Sequence, residues 1–190
     1  MHVGLFFGSF NPIHLGHMAI ANYFLEFTVI DQLWLVVSPQ NPLKERISLL
    51  PDYQRFELVL RAIGDEDRIR ASNIEFNMPK PSYTIDTVTW LTEKHPGNEF
   101  SLIMGSDQLA SFHKWKNYKE IINNYHRFIY PRPGIDNTSL PLMENASLVN
   151  APMIEISSSF IRQALKDGKD IRHFLPPDVW KYIHEMNFYR

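Results

Sequence analysis

The sequence contains no cysteine, which excludes disulfide bonds and the zinc or iron–sulfur sites that thiolates hold. It has no apolar run near the roughly 18 residues that a membrane-spanning helix needs, and its first residues show no signal-peptide pattern. It also lacks an excess of positive charge, since the net charge is −2, and this argues against a non-specific nucleic-acid-binding protein. We therefore expect a cytoplasmic protein with no membrane and no nucleic-acid partner. A small anionic substrate stays open, because it needs only a local cluster of positive groups.

The chain shows no internal repeat, low-complexity tract or domain linker. Its 190 residues suffice for a substantial core, and its hydrophobic and charged fractions are ordinary for a globular protein. We therefore expect one domain over 1–190. The sequence leaves the formation of a homo-oligomer open.

Segments typical of strands and helices alternate along the chain. Continuous apolar runs predict buried strands, and apolar residues at helical spacing predict helices between them. The predicted strands are Val3–Phe7, Leu33–Val37, Ile69–Phe76, Phe100–Met104, Arg127–Tyr130 and Met153–Ile156, and residues 135–150 are expected to form a mobile surface segment. This alternation implies parallel βαβ units with right-handed crossovers. The expected fold is a single doubly wound, Rossmann-like α/β domain with a mainly parallel sheet flanked by helices.

The most informative stretch is Gly8–His17, Gly-Ser-Phe-Asn-Pro-Ile-His-Leu-Gly-His, which joins the first predicted strand to the first predicted helix. A helix N-terminus presents unpaired N–H groups and the positive end of the peptide dipole, so it favours anions. Gly8 permits a tight turn or the close approach of a ligand, and Gly16 removes a side chain where a phosphate could lie. His14 and His17 are three residues apart and share one face of the helix start. The stretch predicts a nucleotide-phosphate site with two imidazoles.

Other interpretations of this stretch stay open on the residues alone. It matches neither the Walker A pattern nor the Gly-x-Gly-x-x-Gly fingerprint of dinucleotide-binding proteins. An isolated His-x-x-His pair is more often structural or solvated than functional. A zinc site is a third interpretation, although no third ligand stands out, since the other histidines are scattered along the chain.

Two separate stretches resemble one known family. Gly8–His17 resembles the signature of the nucleotidyltransferases that carry a His-x-Gly-His motif, and Ile156–Arg162 resembles their second signature, Ile-Ser-x-x-x-Ile-Arg. Within that family the chain is similar to the bacterial nicotinate-nucleotide adenylyltransferase branch. The further matches, which extend the similarity from end to end, are Pro81–Thr84, Gly105–Asp107, Trp115, Arg132–Gly134 and Tyr189–Arg190. One departure is Phe7-Gly8, where the branch often has two glycines.

The resemblance implies transfer of AMP from ATP to nicotinic acid mononucleotide by direct in-line attack on the α-phosphate. The products are deamido-NAD and pyrophosphate, in NAD biosynthesis. The residues assigned to catalysis on the ATP phosphates are His14, His17, Lys44 and Arg162. Those assigned to ATP binding are Gly8, Ser9, Phe10, Gly16, Gly105, Asp107, Ser157 and Ser158. Those assigned to the acceptor are Tyr83, Thr84 and Trp115, with Trp115 stacked on the pyridine ring and the helix start at Tyr83-Thr84 receiving the nicotinate carboxylate.

Each assignment has a structural alternative that the residue type alone does not exclude. Lys44 would by default be a solvated surface lysine, Arg162 a surface helix arginine, and Asp107 a helix cap. Ser157 and Ser158 are expected to cap a helix first and to contact phosphate second. No carboxylate cluster is visible for a metal, so Mg²⁺ is expected to arrive with ATP and not in a protein cage.

Three alternative functions accompany the resemblance. Two are adenylyl transfer to another acceptor, either nicotinamide mononucleotide or phosphopantetheine. The third is a nucleotide sensor that keeps the fold but catalyses nothing.

Overall fold

The computed structural model describes residues 1–39, 49–136 and 144–190. Within these ranges the strands are β1 (His2–Gly8), β2 (Gln32–Val37), β3 (Ile69–Ser72), β4 (Glu99–Gly105), β5 (His126–Tyr130) and β6 (Ala146–Leu148). They form one sheet in the order β3-β2-β1-β4-β5-β6, and every neighbouring pair is parallel. The predicted α/β fold with a parallel sheet is confirmed.

Helices cover both faces of this sheet. The α-helices of the described residues are α1 (Leu15–Phe27), α2 (Asp52–Ile63), α3 (Thr84–Lys94), α4 (Tyr118–Asn124), α5 (Ser158–Lys166) and α6 (Pro177–Glu185). Short 3-10 helices span Ile74–Asn77, Ser106–Lys114 and Arg172–Phe174. Across the described parts of the chain, no helix combines the length and apolar character that crossing a membrane would require.

Two apolar clusters hold these layers together. Successive side chains of a strand point to opposite faces, so Leu33 and Leu35 enter one cluster while Trp34 and Val36 enter the other. The first cluster includes buried residues of α1, α2, α5 and α6, and the second those of α3 and α4. Burial on both faces explains why the strands read as continuous apolar runs.

The strand order reverses between β1 and β4. The chain runs outward from β1 to β2 and β3, then crosses back to β4 and continues to β5 and β6. After β1 the chain enters α1, which packs in the first cluster. After β4 it enters the 3-10 helix Ser106–Lys114, whose Leu109 and Phe112 pack in the second cluster, on the other face of the sheet. Such a reversal opens a crevice at the carboxyl ends of the strands, where α/β folds bind ligands.

Three sequence-based expectations about the strands were wrong. The strand predicted over Ile69–Phe76 ends at Ser72, and the 3-10 helix Ile74–Asn77 follows it. Residues Met153–Ile156 lie outside the sheet, and Met153 is mostly exposed. The last strand is instead β6, inside the segment expected to be mobile. A partly exposed strand of three residues shows too little alternation to be recognised from sequence.

Candidate active site

His14 and His17 lie together directly after the carboxyl end of β1. Helix α1 begins at Leu15, so His14 is its N-cap residue. The two imidazole centroids are 3.8 Å apart with the rings inclined at 31°. The backbone N–H of His14 donates to Nδ1 of His17 at 3.3 Å. The predicted pairing of the two rings at a helix start is therefore present.

The two rings line a small cleft, which we call the histidine cleft. Its other lining residues are Phe6, Gly16, Ile20, Tyr130, Pro131, Arg132, Pro152, Ile154 and Ile156. Burial, together with the smaller effect of the positive charge of Arg132, lowers the pKa of His14 to about 4. Nδ1 of His14 is buried and has no hydrogen-bond partner among the described residues. The His14 ring is therefore neutral at pH 7 in the ligand-free protein.

This perturbed histidine predicts a loss of stability in acid. The pKa of His14 is about 4 in the folded chain and has its ordinary value of 6.5 in the unfolded chain. Between these values only the unfolded chain binds the proton, so the folded state has its full stability above pH 6.5 and loses stability as the pH falls toward 4. From the size of the shift we expect His14 to lower the free energy of unfolding by about 3 kcal/mol between pH 7 and pH 4.

Urea unfolding at several pH values checks this. Between pH 7 and pH 4 the free energy of unfolding of His14→Asn should fall by about 3 kcal/mol less than that of the wild type. The exposed His113 supplies the control, and His113→Asn should keep the wild-type profile. Parallel profiles for wild type and His14→Asn would contradict the expectation.

The second signature packs directly against the first. Helix α5 begins at Ser158, and the Ser157 hydroxyl accepts from the backbone N–H three residues later at 3.1 Å, which confirms Ser157, but not Ser158, as the cap. The Ser158 hydroxyl donates to the carbonyl of Pro12 at 2.9 Å. The Arg162 guanidinium donates to the carbonyl of Asn11 at 2.8 Å. Two stretches distant in sequence thus form one surface beside the histidine cleft.

The glycines of the first signature accommodate aromatic rings of the loop itself. Phe10 has a φ of 43° and is 1% exposed, and an added Cβ at Gly8 would lie 2.8 Å from its ring. An added Cβ at Gly16 would lie 3.0 Å from the His14 ring. The space beside Gly16 is therefore taken by an imidazole and is not left open for a phosphate. The roles of Gly8, Phe10 and Gly16 in ATP binding stay predictions, and the buried Phe10 offers only its backbone.

Asp107 lies beside Arg132, a residue to which sequence reasoning gave no role. The Arg132 Nε atom is 3.7 Å from Oδ1 of Asp107, and the Arg132 backbone N–H donates to the Ser106 hydroxyl at 3.0 Å. Gly105 makes this possible, because a Cβ there would collide with the Asp107 carboxylate and crowd the Arg132 side chain. Arg132 follows β5 just as Asp107 follows β4, so its place at the carboxyl edge of the sheet was the available signal.

A buried arginine on α2 ties the first loop to its neighbours. Arg55 is 0% exposed. It donates to the carbonyls of Ser9, Ser38, Pro39 and Leu50 and to the carboxylate of Asp52. Sequence reasoning missed Arg55, since Ser9, Ser38 and Pro39 are 46, 17 and 16 residues away along the chain and leave no local pattern.

The end of the chain also contacts this loop. The Tyr189 hydroxyl donates to Oδ1 of Asn11 at 2.8 Å, and the backbone N–H of Leu50 donates to the same oxygen at 3.2 Å. Burial raises the pKa of Tyr189, so the hydroxyl keeps its proton and stays a donor. Asn11 thereby connects the phosphate-site loop to α5 through Arg162 and to the last residues.

A larger cavity of about 340 Å³ lies on the opposite face of β1, and we call it the aromatic cavity. Phe7 lines it, whereas Phe6 lines the histidine cleft. The three residues assigned to the acceptor all line it, namely Tyr83, Thr84 and Trp115. Its size falls in the range of small-molecule sites. The structure thus brings the three acceptor residues together.

Two lysines add positive charge to the aromatic cavity. Lys114 and Lys116 both line it, and the Lys116 ammonium lies 4.9 Å from the centroid of the Tyr83 ring. Lys116 also pairs with Asp86 at 2.8 Å. Sequence reasoning noted the polar stretch around Trp115 without assigning these lysines. These two ammonium groups would attract an anionic ligand to their side of the cavity.

The aromatic cavity also contains a buried carboxylate, Glu75, from the 3-10 helix after β3. Ser82 donates to its Oε2 atom at 3.0 Å and Thr87 to its Oε1 atom at 2.8 Å. Burial raises the pKa of Glu75, against the opposing effect of hydrogen bonds from Thr87, Ser38 and Ser82. Sequence reasoning missed this residue because it expected a strand there.

One predicted site residue cannot be placed. Lys44 lies outside the described residues. Within 1–39, 49–136 and 144–190, no group of three or more His, Asp or Glu side chains could hold a metal ion.

Comparison with known proteins identifies the family. The cytidylyltransferase-like family matches residues 5–164. A protein of Flavobacterium johnsoniae named "Probable nicotinate-nucleotide adenylyltransferase" is 48% identical over 192 residues, which cover 100% of both chains. A protein of the same name from Christiangramia forsetii is 50% identical, over 99% of this chain and 98% of its own.

A solved structure shares the fold over almost the whole chain. It is the nicotinic acid mononucleotide adenylyltransferase of Plasmodium falciparum complexed with NaAD, with a TM-score of 0.81 and 23% identity. The superposition covers 99% of this chain and 97% of that one. By sequence and fold together, the chain belongs to the cytidylyltransferase-like family and, within it, to the nicotinate-nucleotide adenylyltransferases.

Proposed function

We propose that the chain transfers AMP from ATP to nicotinic acid mononucleotide and releases pyrophosphate and deamido-NAD. The observation that carries this proposal is the pair of sites on opposite faces of β1: the histidine cleft beside two helix starts, and the aromatic cavity with its lysines. The names of the full-length relatives support the same reaction. One site suits a polyphosphate, and the other suits an anionic aromatic acceptor.

The transfer needs no protein nucleophile. An oxygen of the mononucleotide phosphate attacks the α-phosphorus of ATP, and a new P–O bond forms there. The P–O bond toward the β-phosphate breaks in line, and its electron pair leaves with pyrophosphate. Both reactants are anions, so the protein must hold them together and stabilise the charge that develops on the leaving group.

We assign that stabilisation to His14, His17, Lys44 and Arg162. His17 is half-buried beside the neutral ring of His14, and we place it nearer the α-phosphate. The Arg162 guanidinium has five N–H donors, so contacts with the β- and γ-phosphates can add to its bond with Asn11. Lys44 would supply a point charge on the same phosphates.

The remaining ATP contacts follow from position. Backbone groups of Gly8, Ser9 and Phe10 precede α1, and the N-terminus of α5 at Ser157-Ser158 offers N–H groups to phosphate oxygens. Asp107 is about half exposed, so its carboxylate is accessible to a ribose hydroxyl even while paired with Arg132. Gly105 keeps room for both side chains.

The nucleotide is expected to bring a divalent cation, and we propose Mg²⁺. The histidine cleft fits a cation that keeps its waters and phosphate ligands, because none of the described residues that line it is a carboxylate. When bound, the ion neutralises part of the phosphate charge. His17 and Arg162 would orient the phosphates themselves.

The acceptor binds in the aromatic cavity in this proposal. Tyr83 is the extended N-cap residue of α3, and the first N–H groups of that helix face an anion favourably. These donors would take the nicotinate carboxylate, while a neutral carboxamide would gain less from them. Trp115 would stack on the pyridine ring.

Removal of the stacking ring should weaken acceptor binding selectively. We expect Trp115→Ala to raise the KM for nicotinic acid mononucleotide about tenfold, because stacking of a heteroaromatic ring on an aromatic side chain contributes about 1–3 kcal/mol. The KM for ATP should change little. Steady-state kinetics with each substrate varied in turn measures both, and the exposed Trp90 gives the control variant Trp90→Ala. A parallel rise in both KM values would contradict the assignment.

Pyrophosphate release with a panel of acceptors tests the function itself. Purified protein with ATP and Mg²⁺ should release pyrophosphate rapidly with nicotinic acid mononucleotide and far more slowly with nicotinamide mononucleotide or phosphopantetheine. Turnover on phosphopantetheine with none on the nicotinate acceptor would overturn the proposal. Binding of ATP without pyrophosphate release from any acceptor would favour the sensor alternative.

A further inference from the structure

Glu75 connects three separate elements at the edge of the aromatic cavity. It comes from the 3-10 helix after β3 and is 2% exposed. One carboxylate oxygen accepts from Ser82, in the loop before α3, and the other accepts from Thr87, in the first turn of α3. A hydrogen bond from Ser38, just after β2, also reaches this carboxylate.

The two hydroxyl donors bracket the helix start that faces the cavity. Ser82 immediately precedes the N-cap Tyr83, and Thr87 lies three residues after Thr84, the first residue of the helix. Ser82 is 8% exposed and Thr87 is 0% exposed, so neither hydroxyl can exchange this partner for bulk water. One carboxylate therefore connects the helix start to the residues after β2 and β3.

The geometry of a charge-assisted hydrogen bond makes this arrangement stiff. A carboxylate accepts at both oxygens, and hydroxyl–carboxylate bonds are shorter and stronger than neutral ones. An amide offers one oxygen and one NH₂ group, which cannot accept. Glutamine at this position would therefore force one of the two hydroxyls to reorient.

We propose that Glu75 is a positioning residue for the acceptor, which holds Ser82 and Thr87 so that the first N–H groups of α3 meet the nicotinate carboxylate. It acts through the helix start. The inference rests on the proposed function, because the ligand it positions is the acceptor named there.

Glu75→Gln tests the proposal through the two Michaelis constants. We expect the KM for nicotinic acid mononucleotide to rise about tenfold, which corresponds to the loss of one charge-assisted hydrogen bond, and the KM for ATP to stay within about twofold. The matched control is Gln32→Leu. Gln32 is another buried polar residue and accepts from Trp34 Nε1 at 2.7 Å, but it lines neither site. The Gln32→Leu variant should be less stable than the wild type, with both KM values unchanged.

A triple variant separates positioning from stability. Glu75→Met with Ser82→Ala and Thr87→Val removes the carboxylate and both buried hydroxyls together, which leaves only the half-buried Ser38 hydroxyl without this partner. The melting temperature should recover relative to Glu75→Gln, while the KM for the acceptor stays high. Recovery of both the melting temperature and the acceptor KM would show that Glu75 matters for stability alone and would overturn the proposal.

The remaining outcomes are also decisive. An unchanged acceptor KM in Glu75→Gln, with normal wild-type turnover, overturns the positioning role and leaves the proposed function intact. Equal rises in both KM values overturn it as well. Absence of wild-type turnover with nicotinic acid mononucleotide overturns the proposed function first, and this inference with it.

Discussion

His17→Ala is expected to lower kcat by about 10²–10³-fold, the usual cost of losing one electrostatic donor to developing charge. The His17 ring lies 3.8 Å from His14, centroid to centroid, in the cleft that we assign to the ATP phosphates. Its loss removes a donor that acts on the transferring phosphoryl group, so kcat should fall more than the KM for ATP changes. Single-turnover and steady-state rates of pyrophosphate release measure the effect.

A second substitution at the same position separates chemistry from packing. His17 also packs edge-on against Phe10, with ring centroids 5.1 Å apart. His17→Phe keeps an aromatic ring there but carries no N–H group, so its kcat should be about as low as that of the alanine variant. The exposed His173 provides a control, and His173→Ala should behave as wild type. Near-normal turnover in either His17 variant would refute the assigned role.

Arg55→Met is expected to lower the free energy of unfolding by about 3–5 kcal/mol, because it removes a fully buried guanidinium and leaves several backbone carbonyls without their donor. Four backbone carbonyls and the Asp52 carboxylate would lose their common donor. Two of those carbonyls belong to Ser9 and Ser38, the residues directly after β1 and β2. Urea unfolding at pH 7 measures the change.

The control for this variant is an arginine whose ion pair is exposed. Arg172 pairs with Asp170 at 2.6 Å, with more than half of both side chains exposed. Arg172→Met should leave stability nearly unchanged, since solvent screens such pairs. Equal stabilities of Arg55→Met and Arg172→Met would mean that the buried network contributes little to the folded state.

The sequence predicted the parts of this protein that leave a local pattern. The four central strands are runs of apolar residues because both of their faces are buried, and all four were found. The pairing of His14 with His17 and the cap at Ser157 depend on neighbours within three residues, so spacing alone indicated them. Resemblance to a family then grouped the acceptor residues, which the structure places in one cavity.

What the sequence did not reveal depends on contacts between distant segments. Arg55 donates to Ser9, 46 residues away, and nothing in its helical pattern distinguishes it from a surface arginine. Glu75 is buried by the loop and helix that follow it, and Arg132 meets His14 only because β5 and β1 end at the same edge of the sheet. Contacts of this kind become visible only once the strand order is known.

Competition between two acceptors tests the central claim most directly. Equimolar nicotinic acid mononucleotide and nicotinamide mononucleotide would be offered with limiting ATP, and the dinucleotide products separated by chromatography. Because the start of α3 should favour a carboxylate by at least one charge-assisted hydrogen bond, we predict deamido-NAD in at least about tenfold excess over NAD. A predominance of NAD, or no dinucleotide at all, would contradict the account.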